Sequence, residues 1–260
     1  MLSKKTFYIS FLLSISLLFS FSSIRINPGN AIQKVVIDAG HGGKDPGAGN
    51  GREKRYALDI ALKLGKKIKA NMKDVEVIYT RNSDVFIPLN ERAAIANKNK
   101  ADLFISIHCN AFSSANASGT ETYVMGLHKT EANLALAKRE NNVILLEDNY
   151  SKTYKGFNPN SPLAHIMLAN YQNAFMNQSM EFAAKVENQF VKYGQKSRGV
   201  KQAGFLVIWE TTMPSVLIET GYLSNPRDAK KLSTDSGRDT IAKAIYAAFY
   251  SYKSGVERNQ

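Results

Sequence analysis

His41 and His108 each end a short apolar run, and Glu219 closes a third. The runs read Val35-Val36-Ile37-Asp38-Ala39-Gly40-His41, Leu103-Phe104-Ile105-Ser106-Ile107-His108 and Ser215-Val216-Leu217-Ile218-Glu219. Imidazole nitrogens and carboxylate oxygens are zinc ligands, and a catalytic zinc takes three protein ligands while leaving a fourth position open. His41 and His108 supply two. The third should be a carboxylate or imidazole on an ordered element. Glu53 opens the helix that follows the His41 turn, so it can reach back over the same edge. Glu219 arrives at that edge on a separate strand, where it could act as general base. His128 and His165 follow no such run and read as surface or second-layer residues.

The glycine-rich turn Gly40-His41-Gly42-Gly43-Lys44 invites a phosphate-binding reading, but no Ser or Thr follows Lys44 and the spacing fits neither nucleotide fingerprint. The glycines instead allow a tight turn that leaves an imidazole exposed at the sheet edge. Cys109 directly follows His108, and strand alternation points it to the opposite side. It reads as a small buried hydrophobe rather than a nucleophile.

Strands over 34–39, 75–80, 103–108, 121–125, 205–208 and 216–219 are expected to position these groups. Helices are expected over 56–72, 89–99, through 134–137, over 164–193 and over 239–252. Leu58, Ala61, Leu62, Gly65 and Ile68 share one face of the first helix, the spacing of an amphipathic helix. Strand–helix alternation of this kind predicts a single α/β domain. Its mostly parallel twisted sheet would be covered by helices on both faces, with the zinc site at the carboxyl ends of the strands.

Before that domain, Lys4 and Lys5 precede an apolar run over 6–21 and then Ser22 and Ser23. This reads as an export signal over 1–23 followed by a linker over 24–33. The run is shorter than the roughly 20 residues a spanning helix needs, so no stable membrane insertion is expected after cleavage. No cysteine follows it, which excludes a lipoprotein anchor, and the single cysteine of the 260-residue chain excludes an intrachain disulfide. The formal net charge is +12. Export, and the lack of a basic stripe interleaved with aromatics, argue against nucleic acid. An anionic cell envelope fits the charge, as does a merely soluble basic surface.

Taken together, several ordered motifs resemble the zinc-dependent N-acetylmuramoyl-L-alanine amidases of the AmiA/AmiB/AmiC type, the amidase-3 family. They are Val36-Ile37-Asp38-Ala39-Gly40-His41-Gly42-Gly43-Lys44-Asp45-Pro46-Gly47 with Glu53, Tyr79-Thr80-Arg81 with Asp84, and Arg92 with Ala96-Asn97. Ser106-Ile107-His108-Cys109-Asn110-Ala111 and the stretch from Pro214 to Asn225 complete the set. The resemblance implies a catalytic domain over 34–255, zinc held by His41, Glu53 and His108, and a catalytic glutamate at Glu219. The implied substrate is peptidoglycan. The bond is the amide between the lactyl group of N-acetylmuramic acid and L-alanine of the stem peptide, cut in wall remodelling or daughter-cell separation. The protein would act in the periplasm or cell envelope. Cys109 departs from an alanine common in the motif, and Arg52-Glu53-Lys54 follows a compressed loop.

Residues 131–170 are similar to an inserted helix that, in some relatives, blocks the zinc until an activator protein displaces it. Glu140, Glu147 or Asp148 would be the blocking carboxylate; the alternative is an ordinary connecting helix with a solvated loop. Two rival functions stand beside the amidase: a zinc peptidase on the same scaffold, and a non-catalytic wall-binding protein.

Overall fold

Three apolar runs form the centre of the sheet because they are buried on both faces. In the computed structural model, which describes residues 31–170 and 174–258, β1 (Lys34–Ala39), β3 (Leu103–Asn110) and β6 (Ser215–Tyr222) are buried almost throughout. Continuous apolar strands of this kind belong to parallel sheets covered on both sides. With β2 (Glu76–Tyr79), β4 (Thr120–Met125) and β5 (Ser197–Ala203) they make a six-stranded sheet in the order β2-β1-β3-β6-β4-β5. The first four in that order run parallel, while β4 and β5 are parallel to each other and β4 is antiparallel to β6. The export signal expected over 1–23 and the linker to residue 30 lie outside the described residues. Among those described, no helix is long and apolar enough to cross a membrane.

The helices are α1 (Ala48–Asn71), α2 (Leu89–Lys98), α3 (Glu131–Asn141), α4 (Tyr150–Thr153), α5 (Pro162–Ala169), α6 (Met176–Lys192), α7 (Pro226–Ser233) and α8 (Asp235–Arg258). On one face α1, α6 and α8 pack Ile60, Leu64, Phe182, Val186, Ile245 and Phe249 against Ile37, Ile105, Ile107 and Ile218. On the other, α2, α3 and α5 cover Val36, Phe104, Tyr123 and Leu217. Each such side chain contributes about 1.5–3 kcal/mol when fully buried. Strand alternation assigns His108 and Glu219 to the second face, under α3, and Cys109 to the first, where it is fully buried.

Four expectations are corrected. Residues 206–208, expected in a strand, form a 3-10 turn, and the edge strand is β5. The helix expected over 164–193 is two, α5 and α6. The first helix starts earlier than 56: its opening residues Gly49, Asn50 and Gly51 have left-handed backbone, and regular helix follows them. A helix over 226–233, begun by Pro226 and capped by the Asn225 side chain, was not expected.

Candidate metal centre

Side chains from β1's turn, α1, β3 and α3 meet at the carboxyl edge of the sheet. His41 Nε2 lies 3.1 Å from Glu53 Oε1 and 3.3 Å from Glu140 Oε2. His108 Nδ1 lies 3.3 Å from Glu53 Oε1 and 3.2 Å from Glu140 Oε2. One ligand atom from each of these four residues falls within 4.8 Å of the others. The sequence-predicted trio therefore comes together, and of the three candidate carboxylates in the 131–170 segment Glu140 joins it. Glu147 instead accepts the Tyr154 hydroxyl at 2.8 Å, and Asp148 is exposed. His165 is fully buried, 2.9 Å from the Pro159 carbonyl, and His128 is half-buried; neither joins the cluster.

Local sequence explains the convergence. His41 itself adopts a left-handed φ of 61°, which turns its ring back over the sheet edge. A Cβ on Gly40 would stand 2.4 Å from the His108 ring, so only glycine lets that imidazole lie against the backbone. Asp45 Oδ2 lies 2.7 Å from His41 Nδ1 and fixes which nitrogen faces the cluster. Glu53 is held by two backbone donors, Ala48 N–H at 2.7 Å and Cys109 N–H at 3.0 Å. Behind the turn, Arg92 donates to the carbonyls of Ala39 and His41, and Arg81 to those of Ala39 and Gly40. Arg92 is paired in turn with buried Asp38, which also accepts the Ser106 and Thr80 hydroxyls. The expected exposure of His41 is not found: it is 8% exposed, because α3 lies over it and presents Glu140.

The electrostatics suit a cation. Burial opposes charge on His41, but the Glu53 and Glu140 carboxylates outweigh it and raise its pKa well above the usual imidazole value. His108 is likewise pushed up to about 9, against its burial, chiefly by Glu140. Burial, then Glu140 and Glu53, hold the Glu219 carboxyl well above the usual carboxylate range. Glu219 lies in register with His108 across β3–β6, and Arg139 Nη2 is 3.8 Å from its Oε1. Apart from these charge contacts, His41 Nε2, His108 Nδ1, Glu140 Oε2 and both Glu219 oxygens are buried with no hydrogen-bond partner among the described residues. Buried polar atoms are rarely left so. Nitrogen and carboxylate donors converging without partners fit a divalent ion of zinc's preferences. Asp45 and Arg139 went unassigned in the sequence, although Asp45 stands four residues from His41, within reach of its ring.

Fold and site together define an α/β protein with a buried His/Glu cluster, suited to a metal, at the carboxyl edge of a mostly parallel sheet. The chain belongs to the amidase-3 family, N-acetylmuramoyl-L-alanine amidase, which matches residues 35–250. It is 32% identical over 224 residues to the N-acetylmuramoyl-L-alanine amidase AmiC of Escherichia coli O6:H1, covering 84% of this chain and 52% of that protein. It thus spans about half the length of that relative. A crystal structure of an N-acetylmuramoyl-L-alanine amidase from Clostridium difficile 630 is 30% identical with a TM-score of 0.63, covering 86% of this chain and 97% of that one. The CwlD amidase of Clostridioides difficile, solved in complex with the GerS lipoprotein, is 25% identical with a TM-score of 0.63, covering 86% and 99%.

Proposed function

We propose that this protein is a zinc-dependent N-acetylmuramoyl-L-alanine amidase that hydrolyses the amide joining the lactyl group of N-acetylmuramic acid to L-alanine in peptidoglycan. The observation that carries the reading is the unpartnered, buried donor set of His41 and His108 beside Glu53, with unpartnered Glu219 in register next to it. His41, Glu53 and His108 would hold zinc, which supplies Lewis acidity toward water and the scissile carbonyl. Asp45 orients His41, and the Ala48 and Cys109 amides orient Glu53.

Glu219 takes a proton from the attacking water as the C–O bond forms, and returns it to the leaving nitrogen as the C–N bond breaks. Glu140 occupies the space between the imidazoles that the substrate carbonyl needs, so this conformation is the inhibited one. Activity requires α3 to withdraw, helped by a partner protein. The expected setting is the periplasm or cell envelope, in wall remodelling or daughter-cell separation.

The test is dye release from labelled peptidoglycan, with chelator and zinc add-back, for the protein and for Glu219→Gln. Chelator should stop release and zinc restore it. Glu219→Gln should keep its zinc while losing about 10²–10⁴-fold in rate, the usual contribution of a positioned acid–base group. Full activity in that variant removes Glu219 from the role. Products distinguish the rival peptidase: the amidase frees an L-alanine amino terminus.

A further inference from the structure

A second cavity, of about 430 Å3, opens on the far side of Arg139 from the histidines. Phe112, Leu136 and the Tyr123 ring give it an apolar lining, while Arg198 and Lys201 form a cationic wall. Behind these two cations sits Glu121, 1% exposed. It pairs with Arg198, with Lys201 at 2.5 Å, and accepts the hydroxyls of Tyr123 at 2.7 Å and Tyr222 at 2.9 Å. Arg198 also stacks over the Tyr222 ring at 5.5 Å, and Lys201 lies 6.0 Å over Tyr123. Two fixed cations therefore face one carboxylate, and both remain partly open to the cavity, at 34% and 22% exposure. The wall keeps an uncompensated positive charge.

Its distance from the reacting centre is set by the sheet. Glu121 is the direct cross-strand partner of Glu219 in the antiparallel β4–β6 pair. Such partners hold their Cβ atoms about 4.5–5.5 Å apart, and an extended peptide advances about 3.3–3.6 Å per residue. Glu121 and the two cations on its carboxylate therefore stand beside Glu219 on the same side of the sheet, within reach of a short peptide, and Arg139 borders both places. An apolar cavity with a cationic far wall, adjoining Glu219 through Glu121 and Arg139, suits a short peptide that carries a carboxylate close to the scissile amide.

We propose that this cavity is a substrate subsite in which Arg198 and Lys201 receive the free α-carboxylate of the stem-peptide residue following L-alanine. The identity of the ligand rests on the amidase reading. Glu121 is a positioning residue: it holds the two cations at the wall. An α-amide in the same place keeps one accepting oxygen but loses the negative charge and turns an NH2 group toward cations that only donate, so the free acid is preferred.

The cavity is open with α3 in place, so binding does not require its withdrawal. Calorimetry on the full-chain Glu219→Gln protein would compare two peptides. One is N-acetyl-L-alanyl-γ-D-glutamyl-L-lysine amide, and the other is the same peptide with its glutamyl α-carboxylate amidated. The acid should bind about tenfold tighter, the worth of one charge-assisted hydrogen bond at a partly exposed site. Lys201→Gln and Arg198→Gln should each shrink that ratio. Ala132→Glu, on the exposed rim and deleting no contact of the wall, should weaken the acid alone. No binding, equal affinities, or a ratio unchanged in all three variants overturns the subsite. Amide release is read separately on the Glu140→Gln protein, whose site is uncovered: turnover without acid-preferring binding sinks the subsite alone, and acid-preferring binding without turnover supports it while sinking the amidase reading.

Discussion

Replacing Glu140 by Gln keeps the length of the side chain that α3 inserts between the two imidazoles and removes its charge. Oε2 lies 3.3 Å from His41 Nε2 and 3.2 Å from His108 Nδ1, and Oε1 accepts Arg139 Nη2 at 2.7 Å. At 5% exposure these interactions are little screened by water. The Arg139 bond moves with α3, so the helix is held down through the charge contacts of Oε2 with the two imidazoles. A buried charge-assisted contact contributes about 1.5–3 kcal/mol, and its loss shifts the balance between covered and open sites by about 10- to 150-fold. Asn141 still ties the end of α3 to the Gly204 carbonyl and the Leu206 amide, so the helix is loosened rather than lost. Basal release of labelled peptidoglycan, assayed below saturation, should rise by about tenfold or more. Zinc content measured on the same sample separates the outcomes. Asp148→Asn, at an exposed carboxylate of the same segment, should leave the rate unchanged. Full zinc with an unchanged rate in Glu140→Gln would refute competition between this carboxylate and substrate. A rate that falls together with the zinc would make Glu140 a structural ligand.

Asp45→Ala should weaken zinc about 10–100-fold by freeing the His41 ring, measured by competition with a chromophoric chelator; unchanged affinity would show the ring is held by packing alone. Arg92→Met leaves the Asp38 carboxylate buried without its cation and should lower unfolding stability by about 3–5 kcal/mol in urea titration, a loss below about 1 kcal/mol contradicting it. Burial raises the Asp38 pKa, but Arg92, Ser106 and Thr80 outweigh it and hold it below 3.8. The unfolded chain therefore takes up this proton first as pH falls. The stabilisation is complete above about pH 4 and is lost as pH drops through the folded value; Asp38→Asn should flatten that part of the acid unfolding curve.

The central strands were legible because parallel strands buried on both faces are mostly apolar along their length, as β1, β3 and β6 are. The edge was not. β5 reads Ser-Arg-Gly-Val-Lys-Gln-Ala, mostly polar, as an edge strand with one neighbour tends to be. The nearby run Phe205 to Ile208 drew the assignment instead, since a short apolar stretch does not distinguish strand from buried turn. The meeting of His41, Glu53 and His108 followed from strand ends and helix start. Singling out Glu140 from Glu147 and Asp148 required knowing which face of α3 meets the sheet. The Asp38–Arg92 pair and the cation wall in front of Glu121 join residues 54 and 77 to 80 positions apart, and no local pattern announces such pairings.

Cys109 places its amide and its thiol in different layers of the molecule. The amide holds Glu53 on the site side, while the sulfur lies in the opposite core, 3.3 Å from the Thr220 hydroxyl, and burial raises its pKa well above the usual thiol value. A neutral, enclosed sulfur is a poor nucleophile toward disulfides. Where the surroundings are oxidising, the folded chain thus has no thiol available for mixed disulfides or covalent dimers. Only a molecule whose β3–β6 seam has opened exposes it, so thiol adducts would mark chains that had already lost their fold.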